Sequence, residues 1–267
     1  MTAPLLDWPI AALQAALAPL LPGVRVQAVA ETDSTNTELM RRARAGDPTP
    51  TLLVAEVQSA GRGRLGRGWH GGAPGAALSF SLGLPLAPRD WSGLSLAMGL
   101  AVAESLHPDI ALKWPNDLWC QDRKLAGILV ETTGAATPHA PRQVVIGVGL
   151  NVQPQADAGF SIPPAWLQAL LPDIDAPAAL LRIAPPLVQT VRAFESAGFA
   201  PLAERFNARD ALGHRAVRLS DGTAGMACGV APDGALQLRT ATGLHAVRSA
   251  EVSVRLQPDQ PPIEVVP

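Results

Sequence analysis

The sequence is poor in cysteine and in long apolar runs. Its two cysteines, Cys120 and Cys228, lie far apart and form no CxxC pair, so we expect two unpaired thiols in a reducing compartment. No lysine or arginine precedes Arg25, so the apolar N-terminus lacks the positive region of a signal peptide. No run reaches the ~18 apolar residues that a membrane span requires. The sequence therefore predicts a soluble, cytoplasmic protein with no membrane partner.

Charge is scarce as well. Charged residues make up 16% of the chain and the formal net charge is −2, which argues against non-specific nucleic-acid binding across the surface. The five histidines show no metal-binding spacing, and neither GxSxG nor GxxxxGK(S/T) occurs. These absences disfavour a zinc enzyme, a nucleophilic hydrolase and a P-loop protein. Hydrophobic residues reach 48%, which is ample for a buried core.

Apolar periodicity and turn residues divide the chain into two parts. Residues 1–212 mix helical and strand periods, which predicts a domain in which helices flank a sheet. Residues 213–257 alternate short strands with Gly-containing turns, which predicts a small antiparallel barrel, and the Pro-rich tail 258–267 is expected to be loose. The helices are expected at 10–21, 35–44, 90–106, 163–171, 178–197 (kinked or divided at Pro185-Pro186) and 201–212. The strands are expected at 24–30, 51–57, 76–84, 110–114, 124–131, 143–152, 216–219, 225–230, 235–240, 246–248 and 252–256, with an exposed loop at 133–142.

A run of four glycines and three arginines follows the strand at 51–57, from Gly61 to Gly68, and Trp69 ends it. Its glycines match GxGxxG, but a dinucleotide fold needs a helix there and the pattern continues into another strand. Bare backbone N–H groups, arginines and an indole suit an anion with an aromatic part, such as a nucleotide. A solvated surface turn is the alternative reading, but it leaves the clustered arginines without a role.

Polar residues lie next to predicted strands at four further places. Ser34, Thr35 and Asn36 precede a helix, where capping is the simpler reading, and Thr35 with Glu38 has capping-box spacing. The stretch Lys113-Trp114-Pro115-Asn116-Asp117 ends a strand and reads as an Asx turn or as a site. Lys124 begins an apolar strand. Asn151 follows Gly147 and Gly149, and is a ligand contact or equally a turn former.

Taken in order and spacing, these motifs resemble the biotin protein ligase family. The carrying stretches are Asp33–Asn36, Gln58 with the loop 61–69, Lys113–Asp117, Asp122–Glu131 and Gly147–Asn151, and the likeness extends from about Val24 to Leu256. The resemblance implies an α+β fold, in which a mixed sheet flanked by helices (the class II synthetase-like biotin/lipoate ligase catalytic fold) is followed by a small C-terminal SH3-like β-barrel. It also implies a two-step reaction. Biotin and ATP form biotinyl-5′-AMP, and biotin then passes to a lysine of biotin carboxyl carrier protein.

The resemblance also implies roles for residues of this chain. The expected catalytic residues are Arg64, Lys124 and Asp117, and Asp117 is also the expected ligand of Mg²⁺. The expected biotin-binding residues are Ser34, Thr35, Asn36, Gln58, Gly61, Arg62, Arg64, Lys124, Gly127, Ile128 and Leu129. The expected ATP-binding residues are Arg62, Arg64, Arg67, Trp69, Asn116, Lys124, Asn151 and Arg255.

Two features set limits on the resemblance. Leu65 stands where some relatives carry another arginine. The segment before Val24 is too short for the winged-helix DNA-binding domain of the repressor-type relatives, so we expect no DNA partner and no repressor activity. A monomer and a homodimer both remain open. The alternative enzyme is a lipoate or octanoate protein ligase, which shares the catalytic fold.

Overall fold

The computed structural model describes residues 6–133, 141–155, 163–248 and 254–256, and seven of its strands form one mixed sheet. The order across the sheet is β1-β2-β3-β7-β6-β5-β4, in which β1 and β2 are parallel and every other neighbouring pair is antiparallel. The strands are β1 (Arg25–Thr32), β2 (Thr51–Gln58), β3 (Ala77–Leu86), β4 (Ala111–Lys113), β5 (Asp117–Cys120), β6 (Arg123–Thr133) and β7 (Arg142–Asn151).

Helices cover both faces of this sheet. They are α1 (Ile10–Leu17), α2 (Thr35–Arg44), α3 (Leu94–Leu106), α4 (Ala176–Ala197) and α5 (Ala203–Asn207). Because side chains alternate along a strand, Leu52 and Val54 enter the main core with α1, α3 and α4, whereas Leu53 faces the opposite side. There Leu53 packs with Leu39 and Met40 of α2. Among the helices of the described ranges, α2 is thus the one that packs on this face, and its N-terminus approaches the centre of the sheet.

The C-terminal part is a second, antiparallel sheet that shares the main core. Its strands are β8 (Ala216–Leu219), β9 (Ala224–Val230), β10 (Leu236–Thr240), β11 (Gly243–Val247) and β12 (Val254–Leu256), in the order β11-β10-β9-β8-β12. The edge strands β11 and β12 do not pair in the part of the chain that the structure describes, so the predicted barrel is an open five-stranded sheet there. Buried Leu236 and Leu238 belong to the same hydrophobic cluster as α3 and α4.

Direct hydrogen bonds join the two parts. The Trp114 indole donates to the Gly234 carbonyl at 3.0 Å, and Asn207 bonds to both backbone groups of Val230. The strand β4, which carries Lys113, is also flanked by the connecting segment, since the Leu112 N–H donates to the Arg209 carbonyl at 2.7 Å. These contacts hold the end of β4, and with it the motif at 113–117, against the C-terminal sheet.

Several predicted elements differ from the observed ones. The Pro185-Pro186 pair does not divide α4, because the residues whose carbonyls lose a helical donor, Leu181 and Arg182, are exposed to water. The helix expected at 90–106 begins only at Leu94, after Gly93 adopts a left-handed φ of 78°. The helix expected at 201–212 shortens to a 3₁₀ turn followed by α5.

The remaining differences concern short segments. The helix expected at 163–171 is a single 3₁₀ turn, Leu167–Ala169, whereas β5 is a strand that the sequence prediction missed. The expected loop at 133–142 lies mostly outside the described residues, as do the tail 258–267 and the first part of the strand at 252–256. No described helix is long and apolar enough to cross a membrane.

Candidate active site

Glycines of β6 and β7 line a cavity on the α2 face of the sheet, and serines of the neighbouring strand β3 lie in the same rows. The β-sheet register forms two rows across β3, β7 and β6. One row is Ser81, Gly147 and Leu129, and the other is Ser79, Gly149 and Gly127. A Cβ at Gly147 would collide with the Asn36 amide, and one at Gly149 would lie 2.5 Å from the Trp69 ring. Both glycines are therefore required by the side chains that lie directly on the sheet.

A buried hydrogen-bond network forms one end of the cavity. The Thr35 N–H donates to Gln58 Oε1 at 2.7 Å, and the Ser81 hydroxyl donates to Asn36 Oδ1 at 2.6 Å while lying 2.7 Å from Thr35 Oγ1. Asn36 in turn donates to the Glu131 carboxylate at 3.0 Å. Ser34 is the N-cap of α2 and accepts from the Thr37 N–H, so the helix begins one residue earlier than capping by Thr35 would place it.

The loop 61–69 folds back on itself as a narrow hairpin. The Gly63 N–H donates to the Arg67 carbonyl at 2.7 Å, and the Trp69 N–H donates to the Gly61 carbonyl at 2.9 Å. At the tip, Leu65 has a positive φ of 56° and its side chain is exposed. By contrast, the side chains of Arg62, Arg64, Arg67 and Trp69 line the cavity, and those of Arg62 and Arg67 stay partly exposed.

Three contacts dock this loop. Trp69 Nε1 donates to Ser79 Oγ at 3.0 Å, which lays the indole over Gly149. Arg64 Nη1 donates to Asn116 Oδ1 at 3.0 Å. Arg62 pairs with Glu131 at 3.0 Å, so the loop is connected to the buried network through one carboxylate.

Cations dominate the other end of the cavity. Lys124 Nζ lies 2.7 Å from Asp117 Oδ1, and Gly127 leaves room for the lysine, since a Cβ there would lie 3.2 Å from Nζ. Asn116 is fixed by Ile128 through two bonds of 2.9 Å, from the Asn116 amide to the Ile128 carbonyl and from the Ile128 N–H to the Asn116 carbonyl. Six cationic side chains and one carboxylate, Asp117, line the cavity within the described ranges.

Burial changes the electrostatics of this end. It lowers the pKa of Lys113, and the nearby positive charge of Lys124 adds to that effect, while Asp117 opposes it. Burial likewise lowers the pKa of Arg64, and the negative charge of Asp117 again opposes this effect. An anionic ligand would relieve this crowding of positive charge because it supplies the missing counter-charge.

The structure brings together nearly all of the residues predicted for the site. The cavity has a volume of about 280 Å³. The predicted residues that line it are Ser34, Thr35, Asn36, Gln58, Arg62, Arg64, Arg67, Trp69, Asn116, Asp117, Lys124, Gly127, Ile128, Leu129 and Arg255. Neutral hydrogen-bonding groups and cations thus meet in a single cavity.

Two predicted residues lie outside the lining. Gly61 is at the base of the loop, where a Cβ would collide with the Trp69 carbonyl. Asn151 is 4% exposed; its amide donates to the Ala165 carbonyl at 3.1 Å and accepts from Gln155 at 2.9 Å. Its side chain thereby ties the end of β7 to the segment before α4.

Sequence reasoning assigned no role to several residues that line or support the cavity. Ser79 and Ser81 alternate with Leu78, Phe80 and Leu82, and a polar residue at every second position of a buried strand was the available signal. Lys113 belongs to the motif at 113–117 but was assigned no function of its own, and it also lines the cavity. No cluster of three or more His, Cys, Asp or Glu side chains suited to a metal occurs in the described segments.

Comparison with known proteins decides the family. The sequence profile of the Biotin/lipoate A/B protein ligase family matches residues 28–151, and that of the Biotin protein ligase C terminal domain matches residues 215–255. The bifunctional ligase/repressor BirA of Escherichia coli is 35% identical over 250 residues, which cover 88% of this chain and 75% of that protein. The chain belongs to the biotin protein ligase family.

Other biotin protein ligases agree in length and in fold. The biotin–(acetyl-CoA-carboxylase) ligase of Paracoccus denitrificans is 33% identical over 248 residues and is matched over 98% of its length. The structure of the biotin protein ligase from Aquifex aeolicus in complex with biotin and ATP superimposes with a TM-score of 0.73 at 26% identity, covering 87% of this chain and 99% of that one. The mixed sheet and the C-terminal sheet are therefore those of this ligase family.

Proposed function

We propose that the chain is a biotin–(acetyl-CoA-carboxylase) ligase, which activates biotin with ATP and transfers it to a lysine of biotin carboxyl carrier protein. The observation that carries this proposal is the single cavity with a neutral, hydrogen-bonding end and a cationic end around the Lys124–Asp117 pair. Biotin has the matching polarity, since its ureido ring is neutral and its side chain ends in a carboxylate.

At the neutral end, we assign the ureido ring of biotin to Ser34, Thr35 and Gln58. These residues meet at the N-terminus of α2, where the Thr35 N–H and hydroxyl both donate to Gln58 Oε1 and so fix the Gln58 amide in the cavity wall. Asn36 stabilises this end of the cavity because its side chain accepts a hydrogen bond from the Ser81 hydroxyl on the sheet. Ile128 and Leu129 supply an apolar wall for the remainder of the molecule.

At the cationic end, two anions must be brought together. A carboxylate oxygen of biotin attacks the α-phosphorus, and the bond from that phosphorus to the bridging oxygen breaks, so pyrophosphate leaves with the electron pair. Like charges repel in this step, and preorganised cations offset that repulsion. We assign Lys124 to the carboxylate and α-phosphate, and Arg62 and Arg64 to the oxygens around them.

The remaining predicted residues suit the nucleotide. Trp69 offers its indole face to adenine, while Arg67, Asn116 and Arg255 surround the phosphates. Gly61 acts through the shape of the loop. Asn151 stays a prediction for nucleotide binding, and its hydrogen bonds favour an indirect effect through β7.

In the second step, the neutral amine of the acceptor lysine attacks the acyl carbonyl, and AMP leaves with the electron pair of the broken C–O bond. The amine loses a proton in this step. We assign the acceptance of that proton to the second oxygen of Asp117, whose Oδ1 lies 2.7 Å from Lys124 Nζ, and the proton then passes to water. We therefore assign Asp117 to positioning Lys124 in the first step and the acceptor lysine in the second.

The residues that line the cavity fit Mg²⁺ only if phosphate groups of ATP complete its coordination. Mg²⁺ is commonly bound by one or two carboxylates together with substrate phosphates. Asp117 is the carboxylate that lines the cavity among the described residues, so it would hold the ion jointly with the ATP phosphates. When bound, Mg²⁺ would supply further neutralisation of phosphate charge.

The proposal keeps the wider sequence predictions. The chain is expected to act in the cytoplasm as a monomer or a homodimer and without binding operator DNA. It is also expected to consist of a catalytic domain at 1–212 and an SH3-like domain at 213–257. Trp114 and Asn207 bridge these two parts.

Lipoate and octanoate are the competing substrates, because the matched profile includes lipoate ligases. Their tails are apolar and offer no ureido group. The polar groups that face the cavity at this end, such as the Gln58 amide, would then lose water without gaining a new partner, which sites of this kind reject strongly. The neutral end of the cavity therefore favours biotin.

Pyrophosphate exchange into ATP tests the proposal. The purified chain with Mg²⁺ is expected to catalyse exchange with biotin and to be near background with lipoate or octanoate at equal concentration. Addition of apo biotin carboxyl carrier protein should yield one biotin on that protein, measured by intact mass. Exchange only with lipoate or octanoate would overturn the assignment, and exchange with none of the three acids would indicate a non-catalytic binding module.

A further inference from the structure

Lysine is almost absent from this chain. Lys113 and Lys124 are the two lysines in the 267-residue sequence, in which lysine and arginine together number 21. Both line the same cavity, whereas basic positions elsewhere are filled by arginine. An ammonium is a compact point charge with three donors, while a guanidinium is a wide planar fork, so the two are not interchangeable at a crowded site.

The two lysines have different surroundings. Lys124 is paired with Asp117 at 2.7 Å. Lys113 stands opposite Asp117 in the β4–β5 register, but its ammonium lies over the Trp119 ring, 4.9 Å from the ring centre. Among the described residues, no carboxylate lies within ion-pair distance of Lys113. Its charge is held beside an aromatic face and near other cations.

We propose that Lys113 binds the β- and γ-phosphates of ATP and the pyrophosphate that leaves. This assignment rests on the proposed function. Lys124 and Asp117 occupy the point where the carboxylate meets the α-phosphate, so a second ammonium at the end of β4 suits the adjoining phosphates. As the bond to the α-phosphorus breaks, negative charge accumulates on the bridging oxygen of pyrophosphate. A half-buried ammonium near that oxygen stabilises the charge more than a solvated one would.

In the structure the Lys113 ammonium rests on the Trp119 ring, and a bound polyanion would add a charged partner. Burial, Lys124, Arg67 and Arg255 all lower the pKa of Lys113, and Asp117 alone opposes them. Bound phosphates would reverse this balance and favour the charged form. Biotinyl-AMP carries one phosphate, so the need for Lys113 is specific to the first half-reaction.

Separate half-reactions test the assignment. In Lys113→Met, which keeps the aliphatic stem over Trp119, biotin-dependent adenylation is expected to fall about 30-fold, because one charge-assisted contact to the leaving group is lost. Transfer from supplied biotinyl-AMP to apo carrier protein should fall at least tenfold less than adenylation. The matched variant Lys113→Arg keeps the charge and should recover adenylation to within about fivefold of the unmodified chain.

The outcomes separate a contact with phosphate from simple packing. Equal losses in both half-reactions, or an Arg variant as impaired as the Met variant, would mean that Lys113 only packs against Trp119 and would overturn the proposal. Unchanged adenylation in Lys113→Met would overturn it as well. Failure of the unmodified chain to exchange pyrophosphate with biotin would instead reject the proposed function itself.

The scarcity of lysine permits a second readout without turnover. Trace acetylation of the whole chain has three amines to report, namely the two lysines and the α-amine, and the α-amine serves as the internal reference. Millimolar inorganic pyrophosphate is expected to slow acetylation of Lys113 relative to the α-amine by about fivefold, because an ion-paired ammonium is a poor nucleophile. An unchanged Lys113 ratio would contradict the assignment.

Discussion

The two ends of the cavity differ in charge and in exposure to water. At the neutral end, Thr35, Asn36 and Ser81 are 0–3% exposed, and hydrogen bonds join them before any ligand binds. At the cationic end, the side chains of Arg62 and Lys124 remain 49% and 44% exposed. The neutral end is thus part of the core, whereas at the cationic end Arg62 and Lys124 are paired but partly exposed, and Lys113 and Arg64 are half-buried.

This difference divides the work of the site. A preorganised, buried network loses little entropy on binding and discriminates strongly, so the neutral end should set affinity for the acid. Charges that gain their partners in the reaction stabilise the transition state more than the ground state, so the cationic end should set the rate. Glu131 joins the two ends because it contacts both Asn36 and Arg62.

The largest effect is expected from Lys124→Ala. Loss of this ammonium removes a preorganised charge next to the reacting carboxylate, which costs about 10²–10³ in rate. Biotin-dependent pyrophosphate exchange measures the loss, and calorimetry should show that biotin affinity changes far less. Lys124→Arg is the matched control, and we expect an intermediate rate because a guanidinium cannot occupy the space over Gly127 in the same way. Near-normal exchange in the Ala variant would contradict the assignment of rate to this end.

A smaller effect is expected from Arg64→Ala, which removes the bond from the loop to Asn116. The loop would then retain biotinyl-AMP less well, and dissociation of the adenylate is expected to rise about 30-fold because a charged hydrogen bond is lost. The released anhydride would label lysines of bystander proteins, which a streptavidin blot detects. Because Leu65 is exposed at the loop tip, Leu65→Ala is the matched control and should retain the adenylate. Equal retention by both variants would show that Arg64 does not hold the loop closed.

The cationic end was the part most open to prediction from sequence. Its residues are contiguous, as in the loop 61–69, or lie at the beginning of a strand, as Asp117 does in β5 and Lys124 in β6. The charged residues of this end can therefore be recognised from short stretches of sequence. The mixed sheet and α2 were also predicted, because their apolar periods are regular over whole elements.

The neutral end was harder to predict, because it depends on register between distant strands. Ser81 meets Gly147 and Asn36 only after β3 and β7 pair, and nothing near Ser81 in sequence indicates those partners. The sequence predicted a helix that is kinked or divided at Pro185-Pro186, and the absence of a division in α4 could not be predicted for a related reason. Whether freed carbonyls reach water depends on which face of α4 is exposed, and packing decides that.

The finest test of the comparison uses two serines of one strand. Ser79 and Ser81 lie on the same face of β3, but Ser79 accepts from the Trp69 indole and Ser81 donates to Asn36. Replacing Ser79 by alanine removes one neutral hydrogen bond, worth about 1 kcal/mol or about fivefold in affinity. Replacing Ser81 removes its contacts with both Asn36 and Thr35, so the effect should be at least as large. Ser81→Ala should weaken biotin binding and leave the KM for ATP unchanged, whereas Ser79→Ala should do the reverse. If both variants weaken both substrates equally, the two ends do not act separately, because the floor of the cavity would then respond as one unit.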